Sequence, residues 1–258
     1  MITARQVLIY LSLKYEGNWD KIYNAIKTKE DIDSNEIGKI VISNAITIVD
    51  DNYPQGLKTQ YKPPFVLFYK GNKEILDRKN ILGVVGTRKM STYGRRVTDY
   101  LLSGVYEKKD IPLVSGMAKG IDSEAARVAI RHNKQIISCV GCGLDYCYPQ
   151  ESRDVYDYSM GDNGVIISEY PEGVKPLPEN FPLRNRIIAG LCEALLVVEA
   201  GKQSGTSITV KYAIDQGKEV LCVPNEIFSK NTFTNELIAC GALPCSTSNE
   251  IIGVLKDE

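Results

Sequence analysis

The chain has 258 residues and a formal net charge of −1, with 31 Lys and Arg against 32 Asp and Glu. That length suits one large core plus a small accessory domain. The balanced charge excludes a surface that is basic all over, so any nucleic-acid site must be a local patch. Hydrophobic residues make up 43% of the chain, and no apolar run approaches the roughly 20 residues that span a membrane.

Residues 1–14 lack a small-residue cleavage site and read as an amphipathic helix, which points to a cytoplasmic protein. The seven cysteines are odd in number and scattered, which suits free thiols in a reducing compartment. Cys139, Cys142 and Cys147 are the one close group. Structural zinc needs four placed ligands, and the single His132 belongs to the preceding helix. No metal site and no cofactor is expected.

Apolar spacing predicts helices over residues 3–15 and 19–28, the second capped by Asn18, and a third over 34–44. Residues 1–48 therefore read as a helical accessory domain. Asp51 to Gly56 and Pro63-Pro64 have connector chemistry. A short strand follows at 65–69, closed by Gly71-Asn72.

From residue 81 apolar runs alternate with helical stretches. The runs fall at 81–85, 112–114, 136–140, 165–167, 195–199 and 220–223. They lack polar alternation, so both faces should be covered, as in a parallel sheet between helices. Residues 49–258 are expected to form a doubly wound, mostly parallel, Rossmann-like α/β domain. Ligands of such folds bind beyond the carboxyl ends of the strands.

Those ends carry recurring chemistry. The first strand leads to Gly86-Thr87-Arg88, where glycine permits close backbone approach and Arg offers a forked cation for phosphate. The second leads to Ser115-Gly116-Met117-Ala118-Lys119-Gly120. No ribose-binding acid stands there, and the first loop lacks the G-x-G-x-x-G spacing, which argues against a dinucleotide site. Phe181, Arg184, Asn185 and Arg186 combine an aromatic with cations, as a single-strand groove requires, although Phe181 could equally be core. Ser204-Gly205-Thr206 opens another helix, an anion cradle. Glu199 is better suited to pinning loops than to catalysis.

Together these residues resemble the DNA processing protein A family, also called DprA or Smf. The matching motifs are Gly86-Thr87-Arg88 with Tyr93-Gly94, residues 115–122, 143–149, 181–191 and 197–200, and Ser204-Gly205. The resemblance runs from about Tyr53 to Ala242. It implies a homodimer that binds single-stranded DNA, loads the RecA recombinase during natural transformation or recombination, and is not an enzyme. The pattern departs at Ala126, Asn225 and Phe233, and the winged-helix domain that some members carry at their C-terminus is expected to be missing.

Two other readings share the fold. A phosphoribohydrolase-like enzyme would need a carboxylate where Thr209 stands. A free-nucleotide sensor could use the same loops. For the homodimer, Leu237, Ile238, Ile251, Ile252 and Leu255 offer apolar positions to a partner, or to the sheet itself.

Overall fold

The computed structural model describes residues 2–32, 36–37, 44–202 and 204–255. Two helices come first, α1 (Ala4–Lys14) and α2 (Trp19–Lys27). Thr3 and Gln6 form a capping box at α1, and the Asn18 side chain accepts from Lys21 N–H at α2, each satisfying N–H groups that a helix start leaves free. The third helix expected over 34–44 lies largely outside the described residues.

The rest is built on one sheet, ordered β1-β2-β6-β5-β4-β3-β7-β8-β9 among the described residues. β1 (Ala45–Thr47) and β2 (Val66–Gly71) are antiparallel additions at one edge. The sheet thus starts at Ala45, three residues before the boundary expected from sequence. Strands β3 (Leu82–Val85), β4 (Leu113–Ser115), β5 (Ile136–Val140), β6 (Gly164–Ser168), β7 (Ala194–Val197) and β8 (Glu219–Cys222) are parallel, as their two-sided apolar runs required. A two-residue β9 (Leu243–Pro244) closes the far edge.

Alternate residues of each strand feed two cores. Leu82, Val84, Ile136, Leu196 and Leu221 face one side, packed by Leu101 and Val105 of α4 (Thr92–Tyr106) and Ala125 and Val128 of α5 (Ile121–Arg131). Val85, Ile137, Cys139, Leu195 and Val197 face the other, under Ile187 and Ile188 of α7 (Asn180–Leu191) and Val210 and Ala213 of α8 (Gly205–Asp215). The one-turn α3 (Gln55–Lys58) precedes these four helices, and α6 (Arg153–Ser159) falls between α5 and α7. The chain winds from β3 to β6 in one direction and resumes with β7 on the opposite flank of β3. The β3–β7 boundary is therefore the topological switch point, where the carboxyl ends part and a crevice opens.

The C-terminus ends in α9 (Phe233–Ala239) and α10 (Ser248–Val254). Its apolar positions turn inward: Ile251 and Leu255 are buried in the first core with Ile252 against it, and Leu237 and Ile238 pack on the second. Packing within the chain buries Ile251 and Leu255, while Leu237, Ile238 and Ile252 stay half-buried.

Candidate nucleic-acid interface

A cleft of about 500 Å³ opens at the switch point. Three segments supply most of its lining: Gly86, Thr87 and Arg88 after β3; Phe181, Arg184 and Asn185 on α7; and Ser204, Gly205 and Thr206 at the start of α8; Ala118, Asp122 and Tyr148 add to it. The parallel sheet brings these distant stretches together.

The loop after β3 is held from below. Gly86 packs so close to Ile121 that a Cβ would come within 2.5 Å of that side chain, so only glycine lets α5 approach. Gly120 has φ +91, and a Cβ there would lie 2.2 Å from the Thr87 carbonyl oxygen, a position closed to other residues on both counts. Thr87 N–H donates to the Glu199 carbonyl at 2.6 Å, and Thr87 C=O accepts from Ile121 N–H at 3.2 Å. The buried Glu199 carboxylate accepts from Ser91 N–H at 3.0 Å and from Asn231 Nδ2 at 2.9 Å. Glu199 thus ties the β3, β7 and β8 loops together.

Helical periodicity sorts α7. Phe181, Arg184, Asn185 and Ile188 follow the i, i+3, i+4, i+7 pattern of one face, and all four line the cleft. Glu179, Leu183 and Arg186 follow the opposite face and line a separate pocket below the N-terminal helices. Arg186 is 1% exposed. Its guanidinium donates to both Glu169 oxygens at 2.6 and 2.7 Å and to the carbonyls of Lys62 and Leu183. The expectation that Arg186 lines the groove does not match this placement, because consecutive helical residues point about 100° apart.

Arg184 borders the cleft but is 4% exposed. It donates to the Gly116 carbonyl at 2.7 Å, to the Cys139 carbonyl, and to Asn185 Oδ1 at 3.1 Å. Burial lowers its pKa, with Asp122 pulling the other way. Arg88, by contrast, is exposed, and its guanidinium carbon lies 5.5 Å from the centre of the half-buried Phe181 ring. Tyr148, which sequence reasoning left without a role, stacks on Phe181 at 5.5 Å with 29° between the rings. It is 43% exposed and extends the aromatic wall; its place in the Gly-Leu-Asp-x-x-Tyr-Pro motif was the available signal.

Ser115, Gly116, Lys119 and Gly120 stand outside the lining. Ser115 is buried, its hydroxyl donating to the Val84 carbonyl at 2.7 Å. Gly116 N–H donates to Asp122 at 3.2 Å. Lys119 points outward, its ammonium 3.5 Å from Glu151. At α8, Ser204 occupies the N-cap without a side-chain bond to the helix and donates instead to the Gly201 carbonyl. A helix start without a side-chain cap presents N–H groups and the positive end of the helix dipole. Cys139 lies in β5, and burial pushes its thiol up to about 12. Among the described residues no group of three or more His, Cys, Asp or Glu could hold a metal ion, and no helix is long and apolar enough to cross a membrane.

A doubly wound sheet with an exposed arginine, an open aromatic pair and a bare helix start at its switch point defines a Rossmann-like protein with a cleft suited to anionic ligands. The chain belongs to the family described as DNA recombination-mediator protein A, whose profile matches residues 44–256. It is 39% identical over 183 residues to the DNA processing protein DprA of Streptococcus pneumoniae, covering 71% of this chain and 64% of that one. With DprA of Bacillus subtilis it shares 38% over 185 residues, 72% and 62% of the two chains. The chain therefore spans less than two thirds of the length of these relatives. Among solved structures, DprA from Streptococcus pneumoniae aligns with a TM-score of 0.82 at 31% identity, over 98% of this chain and 94% of that one. DprA from Helicobacter pylori, studied for its single-stranded DNA binding mode, aligns at 0.72 and 26%, over 81% and 94%. The family resemblance read from the motifs and the Rossmann-like fold are thereby established.

Asp122 sets a pH dependence. Burial raises its pKa to about 6 from an ordinary 3.8, against the pull of Arg184 and the N–H groups of Gly86, Gly116 and Ala118. The folded protein holds this proton more tightly than the unfolded chain, so the contribution of Asp122 to stability falls as pH rises from about 4 to about 6. Denaturant unfolding of Asp122→Asn against the parent across that window should show the difference shifting in the variant's favour with rising pH. A difference independent of pH contradicts the assignment.

Proposed function

We propose that the switch-point cleft binds single-stranded DNA without sequence preference, and that the protein acts in DNA processing by presenting that strand to a RecA-type recombinase. The observation that carries the reading is the pairing of exposed Arg88 with the Phe181–Tyr148 aromatic wall beside the bare start of α8. Aromatic faces stack any base, and a forked cation with helix N–H groups holds any phosphate. That combination fits a flexible strand and reads no sequence. The Helicobacter pylori relative is associated with the same ligand class.

The reading assigns no turnover. Thr209, where a phosphoribohydrolase-like site would need a carboxylate, is buried and its hydroxyl donates to the Gly205 carbonyl at 3.4 Å. It has no titratable proton near neutrality with which to do acid–base work. Asp122, the one carboxylate on the cleft lining, is engaged by backbone N–H groups and serves the loops. Arg184 and Asn185 act as positioning groups, Asn185 by donating to the Gly205 carbonyl at 3.0 Å.

Labelled single- and double-stranded oligonucleotides of equal length test the proposal. The single strand should bind tighter. Arg88→Ala should weaken binding and flatten the salt slope by about 0.7, whereas Phe181→Ala should cost roughly 1–3 kcal/mol with little change of slope. Variants that leave affinity and slope untouched place the ligand elsewhere. A homodimer is proposed on family grounds; light scattering at micromolar concentration should show twice the 28.7 kDa chain mass, and a single 28.7 kDa species refutes it.

A further inference from the structure

Beside the cleft, on the other flank of α8, lies a groove of about 790 Å³. We propose that it is a second strand subsite, in which Tyr61 stacks a base and Lys211 holds a phosphate of the DNA leaving the cleft. This rests on the single-strand reading of the cleft and extends it.

Helix α8 is the shared wall. Gly205, Thr206 and Thr209 face the cleft, Ser207, Lys211 and Tyr212 face the groove, and Ile208 borders both. From Thr206 to Lys211 the helix rises about 7.5 Å. A strand held at the start of α8 therefore reaches the groove by crossing one helical ridge.

The opposite wall is the segment after α3. Gln60 is 6% exposed, and both its amide nitrogen and its amide oxygen lack any hydrogen-bond partner. Buried polar groups are seldom left unpaired, and a doubly orphaned amide asks for an explanation. The amide packs over Gly190 of α7, where a Cβ would come within 2.8 Å of its oxygen, so Gln60 belongs to the α3–α7 contact that forms the wall beneath Tyr61. Tyr61 stands next to it, 71% exposed, an open ring for stacking. Two lysines, Lys211 and Lys218, oppose the one carboxylate of the lining, Asp215. Neither lysine belongs to an ion pair among the described residues. An open aromatic beside unpaired cations has the elements of a single-strand site.

Fluorescence anisotropy with oligothymidylates of about 4 and about 16 nucleotides separates the two sites. Tyr61→Ala should weaken the long oligonucleotide roughly fivefold or more and leave the short one at parent affinity. Lys211→Ala should lower the salt slope of the long one alone by about 0.7. Both variants should keep the parent's melting temperature, because Tyr61 and Lys211 are exposed, so that the loss cannot be unfolding. If Tyr61→Ala and Lys211→Ala bind the long oligonucleotide as the parent does while Arg88→Ala weakens both lengths, the groove falls and the cleft stands. If Arg88→Ala leaves both lengths unchanged, the cleft reading falls and the groove with it.

Discussion

The buried guanidinium of Arg184 sits where three strand ends meet. It bonds the carbonyls of Gly116 after β4 and Cys139 in β5, and its charge faces Asp122 at the start of α5. Asp122 in turn receives Gly116 N–H. Carbonyls and amides at the ends of parallel strands have no ladder partner, and leaving them buried and unpaired would be costly. Arg184 and Asp122 satisfy them, and in doing so fix the floor of the cleft. The exposed groups above that floor, Arg88 and the aromatic pair, can then be preorganised for a ligand.

This division of labour explains why one helix carries such different arginines. Three consecutive polar residues, Arg184, Asn185 and Arg186, span about 200° of the helix surface. One face meets the cleft, and the opposite face meets Glu169 beneath the N-terminal helices. Removing one partner from a buried ion pair strands a charge and typically costs about 3–5 kcal/mol, so the Arg186–Glu169 pair is a structural tie between α7 and β6. It anchors the segment from Lys62 as well, through the Lys62 carbonyl.

Much of this was legible in the chain. The six parallel strands showed as short two-sided apolar runs, and the ligand edge followed from the topology rule. The Gly86 and Gly120 loops stood out because glycine is needed where another chain segment packs this closely. What escaped was short or long-range. β1 and β9 have three and two residues, too few for a periodic signal, and exist because a neighbouring strand pairs them. The cationic run on α7 was read as one patch, yet its own 3.6-residue period separates Arg184 from Arg186. The C-terminal apolar residues had two equal destinations in the sequence, and only long-range packing shows that Ile251 and Leu255 are buried within the chain.

The central claim is spatial: a single strand lies across the β3–β7 switch point with its bases on Phe181 and Tyr148. Photocrosslinking reads this directly. An oligonucleotide carrying photoreactive thymine analogues is irradiated with the protein, and the adducts are mapped by peptide mass spectrometry. The account predicts adducts concentrated on the peptides holding Tyr148 and Phe181, lost when Arg88 is replaced by alanine. Adducts confined to peptides at the amino ends of the strands, such as the one holding Asp77 to Ile81, would contradict it.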